Sequence, residues 1–372
     1  MKRIMITVLV FIFLCPVIGN AMEVSGQYAC LIEAATGRVV YEKNADQKYS
    51  MASTTKIMTA LVAIEEQKLN DIVTVSKNAS IQEGSCAYIA EGDKILMSDL
   101  LYGLMLNSGN DAAMAVAEHI SGKPEAFAEL MTKKAHELGA VNTQFKNPSG
   151  LDADGHYTTA KDLALIAREA LKNPVFTQIV QTRTKQVPVQ NTGRTLYFAN
   201  HNKMLNLYQG AIGVKTGYTK ATGRCLVSAA QRNGVTLIAV TLNAPDDWND
   251  HMRMLDYGFE QFEPRALLTQ GQVLKTVSLD GNRYEFAAKE NFSVPMKKND
   301  AVNAEIVLHM IENIKAPVNA GEKVGYAEIL CGGASIGKVD IISVNDILQT
   351  APLRMKASFF DHFSKVMKKW LV

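Results

Sequence analysis

The chain has 372 residues, 47% of them apolar, which is enough to bury a sizeable core, and its length exceeds what one core usually organises, so two domains are expected. Its 39 basic and 37 acidic side chains leave a net charge of +2, too weak a footprint for nucleic acid, so DNA or RNA binding is excluded from the expected functions. Five cysteines and seven histidines show neither CxxC nor HExxH-type spacing, and neither a metal nor another cofactor is expected.

Residues 1–21 run from Met1-Lys2-Arg3 through an apolar stretch, Ile4 to Ile18, to Gly19-Asn20-Ala21, the order of a secretory signal peptide. Pro16 and Gly19 break that stretch short of the roughly 20 residues a spanning helix needs. An exported protein at the outer face of the cytoplasmic membrane is expected. Cys30, Cys86, Cys225 and Cys331 each sit among apolar or small residues and read as small buried side chains, not as disulfides. Tyr28 to Tyr41 reads as a hairpin about Thr36-Gly37. Behind Ser53, Ile57, Met58, Leu61, Val62 and Ile64 recur at helical spacing, as do Leu100, Leu101, Leu104 and Met105. More helices are predicted over Ala112–Leu138 and Thr159–Leu171, with Asn147-Pro148-Ser149-Gly150 and Asp152 to Gly155 as loops. Cys225 to Ala230, the turn Asn233-Gly234 and Val235 to Leu242 predict a second hairpin. Residues 22–263 thus read as an α/β domain whose sheet comes from both chain ends and is flanked by helices.

Residues 264–345 change to short alternating stretches separated by Asp280-Gly281, Asn299-Asp300 and Gly332-Gly333, which predicts a small all-β domain. Over 346–372 an amphipathic helix is predicted: Phe359, Phe360, Phe363, Val366, Met367, Trp370 and Leu371 form one stripe, with Lys365, Lys368 and Lys369 off it. A membrane surface is the expected partner of that stripe, and packing on the β domain is the alternative.

Three short motifs carry the chemistry: Ser53-Thr54-Thr55-Lys56, Ser108-Gly109-Asn110 and Lys215-Thr216-Gly217. A serine hydroxyl needs a base within hydrogen-bond reach, and i, i+3 spacing at a helix start puts Lys56 on the face of Ser53. Lys56 works as a base only if its pKa is lowered, by burial or by a nearby charge such as Lys215. The amides of Ser53 and Tyr218 suit a developing oxyanion, and Gly217 lets a substrate backbone approach and lie along its strand. Ser108 is a candidate proton relay to the leaving amine, and Asn110 a candidate partner for a substrate amide. Taken without the other two motifs, Ser108 to Asp111 would read as a helix cap.

The triple resembles that of penicillin-binding proteins and class A β-lactamases. More narrowly, the chain is similar over nearly its whole length to the low-molecular-mass D-alanyl-D-alanine carboxypeptidases, peptidase family S11. The supporting strings are Asn147 to Asp152, His156 to Ala164, Gly213 to Thr219 and Leu255 to Phe259. The resemblance implies Ser53 as the acylated serine, Lys56 as the acylation base, and Lys215 with Thr216 as the site of the terminal carboxylate. It implies a transpeptidase-like fold, peptidoglycan stem peptides as substrates and β-lactam antibiotics as inhibitors. The chain departs from some relatives in having Tyr218 where they have histidine, and Asp246-Asp247-Trp248-Asn249-Asp250 in a loop where they carry arginine. His156 matches a family position but is assigned no catalytic role. The alternatives are a β-lactamase, disfavoured because no ExxLN-like segment lies between Ser108 and Lys215, and a silent wall-binding protein, disfavoured because all three motifs are intact.

Overall fold

A computed structural model of the chain describes residues 22–279, 282–297, 304–311, 313–331, 333–348, 353–354 and 362–363. Residues 1–21, where a signal peptide is expected, lie outside them. Strands β1 (Tyr28–Glu33) and β2 (Val39–Lys43) form the expected hairpin, whose turn is closed by the Glu33 carboxylate accepting from the amides of Ala35 and Thr36. A 3-10 turn over Ala52–Thr55 runs directly into α1 (Lys56–Glu65), almost wholly buried. The short strands β3 (Ile72–Thr74) and β4 (Lys94–Leu96) pair around the single-turn α2 (Lys77–Ser80). Helices α3 (Met97–Leu106), α4 (Asn110–Ser121) and α5 (Pro124–Glu137) follow. The sequence marks the break between the last two: Gly122 caps α4 in the left-handed region, and Pro124 starts α5 where no backbone donor is needed.

Thr159 and Asn173 cap α6 (Ala160–Lys172) and α7 (Pro174–Gln181) through side-chain oxygens. The hairpin of β5 (Thr184–Pro188) and β6 (Thr195–Ala199) and the short α8 (Met204–Leu207) lead to β7 (Ala211–Thr219), β8 (Gly223–Arg232) and β9 (Val235–Leu242). Helix α9 (Asp247–Gln261) ends this part. Asn233 and Gly234 both have positive φ between the paired Arg232 and Val235, as a two-residue hairpin turn requires.

The main sheet has the order β2-β1-β9-β8-β7, antiparallel throughout, so strands far apart in sequence meet at β1 and β9 and β7 is left as an edge. Cys225, Val227 and Ala229 join the core shared with α1 and α6, while Leu226 and Ala230 pack toward Met254 and Leu255 of α9. Both faces of the sheet are covered, which explains why its strands read as unbroken apolar runs.

Beyond α9 the described residues form strands and the loops between them. β10 (Phe262–Leu268), β11 (Val273–Leu279), β12 (Asn282–Ala288), β13 (Phe292–Lys297), β14 (Ala304–Met310), β15 (Asn313–Ile314), β16 (Lys323–Cys331) and β17 (Ala334–Ser343) close around Phe286, Ala327, Ile329 and Ile341. Two expectations need correction. The chain does not turn helical at Asp346: Ile347, 1% exposed in the β core, bridges Val318, and β18 (Leu353–Arg354) and β19 (His362–Phe363) pair with β15 and β14. Burying Ile347 among strands outweighs the local helical periodicity. The remainder of the aromatic stripe and its three lysines lie outside the described residues. The cysteines also divide: Cys30 and Cys225 are buried and free, but Cys86 is half-buried and Cys331, at a strand end, is exposed.

Candidate active site

The first motif sits where the 3-10 turn meets α1. Ala52 holds a φ of +47°, a strained value for a residue with a Cβ, and turns Ser53 out at the helix start. Lys56 is fully buried, and its Nζ lies 3.0 Å from Ser53 Oγ, 2.7 Å from Asn110 Oδ1 and 2.6 Å from the Ser149 carbonyl oxygen. Burial first, then the charge of Lys215, push the Lys56 pKa well below the usual lysine range, with Asp111 opposing. The expected serine and amine pair is therefore assembled.

The second motif follows α3. Ser108, with φ +60°, turns the chain into α4 and lines the cleft in front of Ser53. The N-cap of α4 is Gly109, which has no side chain to cap with, while Asp111 Oδ1 accepts the Ala112 amide in the first turn. Asn110, expected at a substrate amide, has a protein partner at each end: its Oδ1 accepts from Lys56 and its Nδ2 donates one N–H to the Glu83 carbonyl at 2.6 Å. Its geometry orients the lysine. The neighbouring Asp111 is buried and accepts from the amides of Ala87 and Ile89, tying the 84–89 loop to this helix.

The third motif lies on the edge strand β7. Lys215 is 2% exposed, donates to the Thr216 carbonyl at 3.0 Å, and is pulled down to about 7 by burial. Gly217 has a reason beyond substrate approach: a Cβ there would stand 3.1 Å from Met51 O, Ser53 N and Thr54 N, so the strand lies directly against the nucleophile turn. Tyr218 is exposed beside it.

A loop that the motifs do not mark completes the site. Asn147 Oδ1 accepts from the amides of Ser149 and Gly150 at 3.2 and 2.7 Å, and the folded loop aims the Ser149 carbonyl at Lys56. His156 braces the same region through Thr55 Oγ1 at 2.8 Å, while its Nδ1 accepts from the Lys146 amide. Nε2 is therefore the protonated nitrogen, and burial pulls the imidazole down to about 4, which keeps it neutral. Ser53, Ser108, Thr216, Gly217 and Tyr218 line one cleft of about 370 Å³ together with Asp247 and Trp248 of the acidic run, which forms the first turn of α9 and not a loop. Ser85, His201, Lys203 and Arg224 also line it and escape a reading of the sequence, since none stands in a motif.

Comparison with known proteins agrees with this geometry. The Peptidase S11 family model, described as D-alanyl-D-alanine carboxypeptidase, matches residues 17–246, and the model of the penicillin-binding protein 5 C-terminal domain matches residues 262–349. D-alanyl-D-alanine carboxypeptidase DacF of Bacillus subtilis is 33% identical over 100% of this chain and 99% of its own length. DacC of Escherichia coli is 31% identical over 88% of this chain and 86% of its own. Among solved structures, the D-alanyl-D-alanine carboxypeptidase DacD from Francisella tularensis superposes with a TM-score of 0.62 at 26% identity, covering 88% of this chain and 95% of that one. The Streptomyces K15 DD-transpeptidase gives 0.61 at 35% identity over 64% of this chain and 98% of its own. A serine and a buried amine in contact, on a fold and at an identity shared along the whole length, place the chain in the S11 family of D-alanyl-D-alanine carboxypeptidases.

Proposed function

We propose that this protein is a serine D-Ala-D-Ala carboxypeptidase that removes the terminal D-alanine from peptidoglycan stem peptides and is acylated by penicillins at Ser53. The observation that carries the reading is the fully buried Lys56 amine 3.0 Å from Ser53 Oγ. A substrate peptide adds along β7, with its terminal carboxylate at Lys215 and Thr216 and its penultimate carbonyl over Ser53. Neutral Lys56 takes the hydroxyl proton as Oγ attacks, and the amides of Ser53 and Tyr218 hold the oxyanion. Ser108 passes a proton to the leaving amine, terminal D-alanine departs, and water then frees the shortened peptide from the ester.

The division into a catalytic part over 22–263 and a β part over 264–345 belongs to the same proposal, as do signal cleavage after residue 21 and attachment of the tail to the outer face of the cytoplasmic membrane. Support for attachment is the aromatic stripe with Lys365, Lys368 and Lys369 in the sequence. Mass analysis of the products from a muropeptide ending in D-Ala-D-Ala tests the activity. Loss of one alanine from the stem is expected; an unchanged muropeptide would support the silent protein, and rapid penicillin turnover the β-lactamase.

A further inference from the structure

Two cations line the cleft without a part in this mechanism. Lys203 is exposed, whereas Arg224, half-buried, is held in place by an ion pair. Arg224 lies on β8 directly across the ladder from Tyr218. Side chains alternate along a strand, so Arg224 shares a sheet face with Tyr218 and Thr216. Thr216 is its diagonal neighbour, about 7–8 Å away, a span that an arginine side chain covers. The guanidinium is fixed from behind: Nη2 donates at 2.8 Å to Asp247, whose side chain is 4% exposed, and the Trp248 ring lies 5.8 Å from the guanidinium carbon. Arg224 Nε is shielded from solvent and has no partner among the described residues, although the side chain as a whole is open to the cleft.

A guanidinium with one prong tied down, an unpartnered Nε–H and a place in the cleft lining matches a carboxylate better than it matches any neutral group. Lys215, pulled down to about 7 by burial, carries only part of its charge at neutral pH, whereas a guanidinium stays charged. We propose that Arg224, held by Asp247, is the second cation for the terminal carboxylate of the substrate, and that it sets the preference for a free carboxylate over an uncharged end. The first turn of α9 thereby gains a role, with Asp247 as the positioning residue for the arginine. The inference rests on the carboxypeptidase reading.

The test compares kcat/KM for a peptide ending in D-Ala-D-Ala with that for the same peptide carrying a C-terminal amide, in the wild type and in Arg224→Leu, Arg224→Lys and Asp247→Asn. The expected result is a loss of about 10- to 100-fold for the carboxylate peptide in Arg224→Leu, the size of a lost charged hydrogen bond, with the amide peptide little changed. Arg224→Lys, which keeps charge without the fork, and Asp247→Asn lower the carboxylate-to-amide ratio by less. A ratio unchanged in all three variants, or an equal loss for both peptides, overturns the role of Arg224 while leaving the carboxypeptidase intact. A wild-type protein that turns over neither peptide and is not acylated by penicillin overturns both.

Discussion

When Lys56 is neutral it has two N–H groups and a lone pair, and its three neighbours fit that inventory. Asn110 Oδ1 and the Ser149 carbonyl can only accept, which leaves the lone pair for the Ser53 hydroxyl. The competent state also needs Lys215 charged for the carboxylate. kcat/KM should therefore rise with pH as the first proton leaves this lysine pair and fall as the second leaves, the flanks belonging to the pair. Burial of Lys215 places the fall above about 7. Lys56→Ala should lower acylation by roughly 10²- to 10⁴-fold and remove the rising limb, and Lys215→Arg should move the falling limb to higher pH. A rising limb that survives in Lys56→Ala would assign the base elsewhere. These residues are legible in the sequence because a nucleophile, its base and a carboxylate site demand particular side chains at particular spacings. The Ser149 carbonyl is not, since a backbone atom leaves no mark in composition. Nor is the orientation of Asn110, which depends on a partner at the Glu83 carbonyl.

At the scale of elements, the 147–152 loop and the 3-10 turn fit together through one glycine. Gly150 holds a φ of +88°, and a Cβ there would stand 1.9 Å from the Ala52 carbonyl oxygen, a backbone atom that cannot swing away. Gly150→Ala should destabilise the protein by about 2 kcal/mol or more through backbone strain and clash. Because the clash pushes the loop off the turn, it also withdraws the Ser149 carbonyl, and kcat should drop by roughly 10²-fold, as for other small displacements of catalytic groups. Thermal melts and steady-state kinetics read both effects; a variant with wild-type kcat would show that the loop does not set the site. Helices α1, α3 and α6 are visible in the sequence as periodic apolar stripes. The stretch at Asp346 to Leu348 does not show its state in the sequence, because an apolar residue suits helix and sheet alike and it is the β core that takes Ile347.

At the scale of the whole molecule, two buried neutral histidines make the fold sensitive to acid. His156 is pulled down to about 4 and His251, held between Ser228 and Thr241 beneath the sheet, to about 3. Both values lie below that of an unfolded histidine, about 6.5, so the unfolded chain binds more protons between these limits. Stability is therefore retained above pH 6.5 and is lost as pH falls toward 4, by about 1.4 kcal/mol per pH unit for each histidine. The melting temperature should drop steeply over that window, and His251→Gln should flatten the dependence while lowering stability at neutral pH; a flat profile in the wild type would contradict the burial of these rings. The joining of β1 to β9, about 200 residues apart, is foreshadowed by two apolar hairpins, and the cleft draws on all three motifs. Whether they work there as one unit is tested most directly by incubating the protein with labelled benzylpenicillin and mapping the modified peptide. A stable adduct on Ser53, absent in Ser53→Ala and strongly slowed in Lys56→Ala, is the predicted result. An adduct on another residue, or an adduct that forms at the wild-type rate without the lysine, would contradict it.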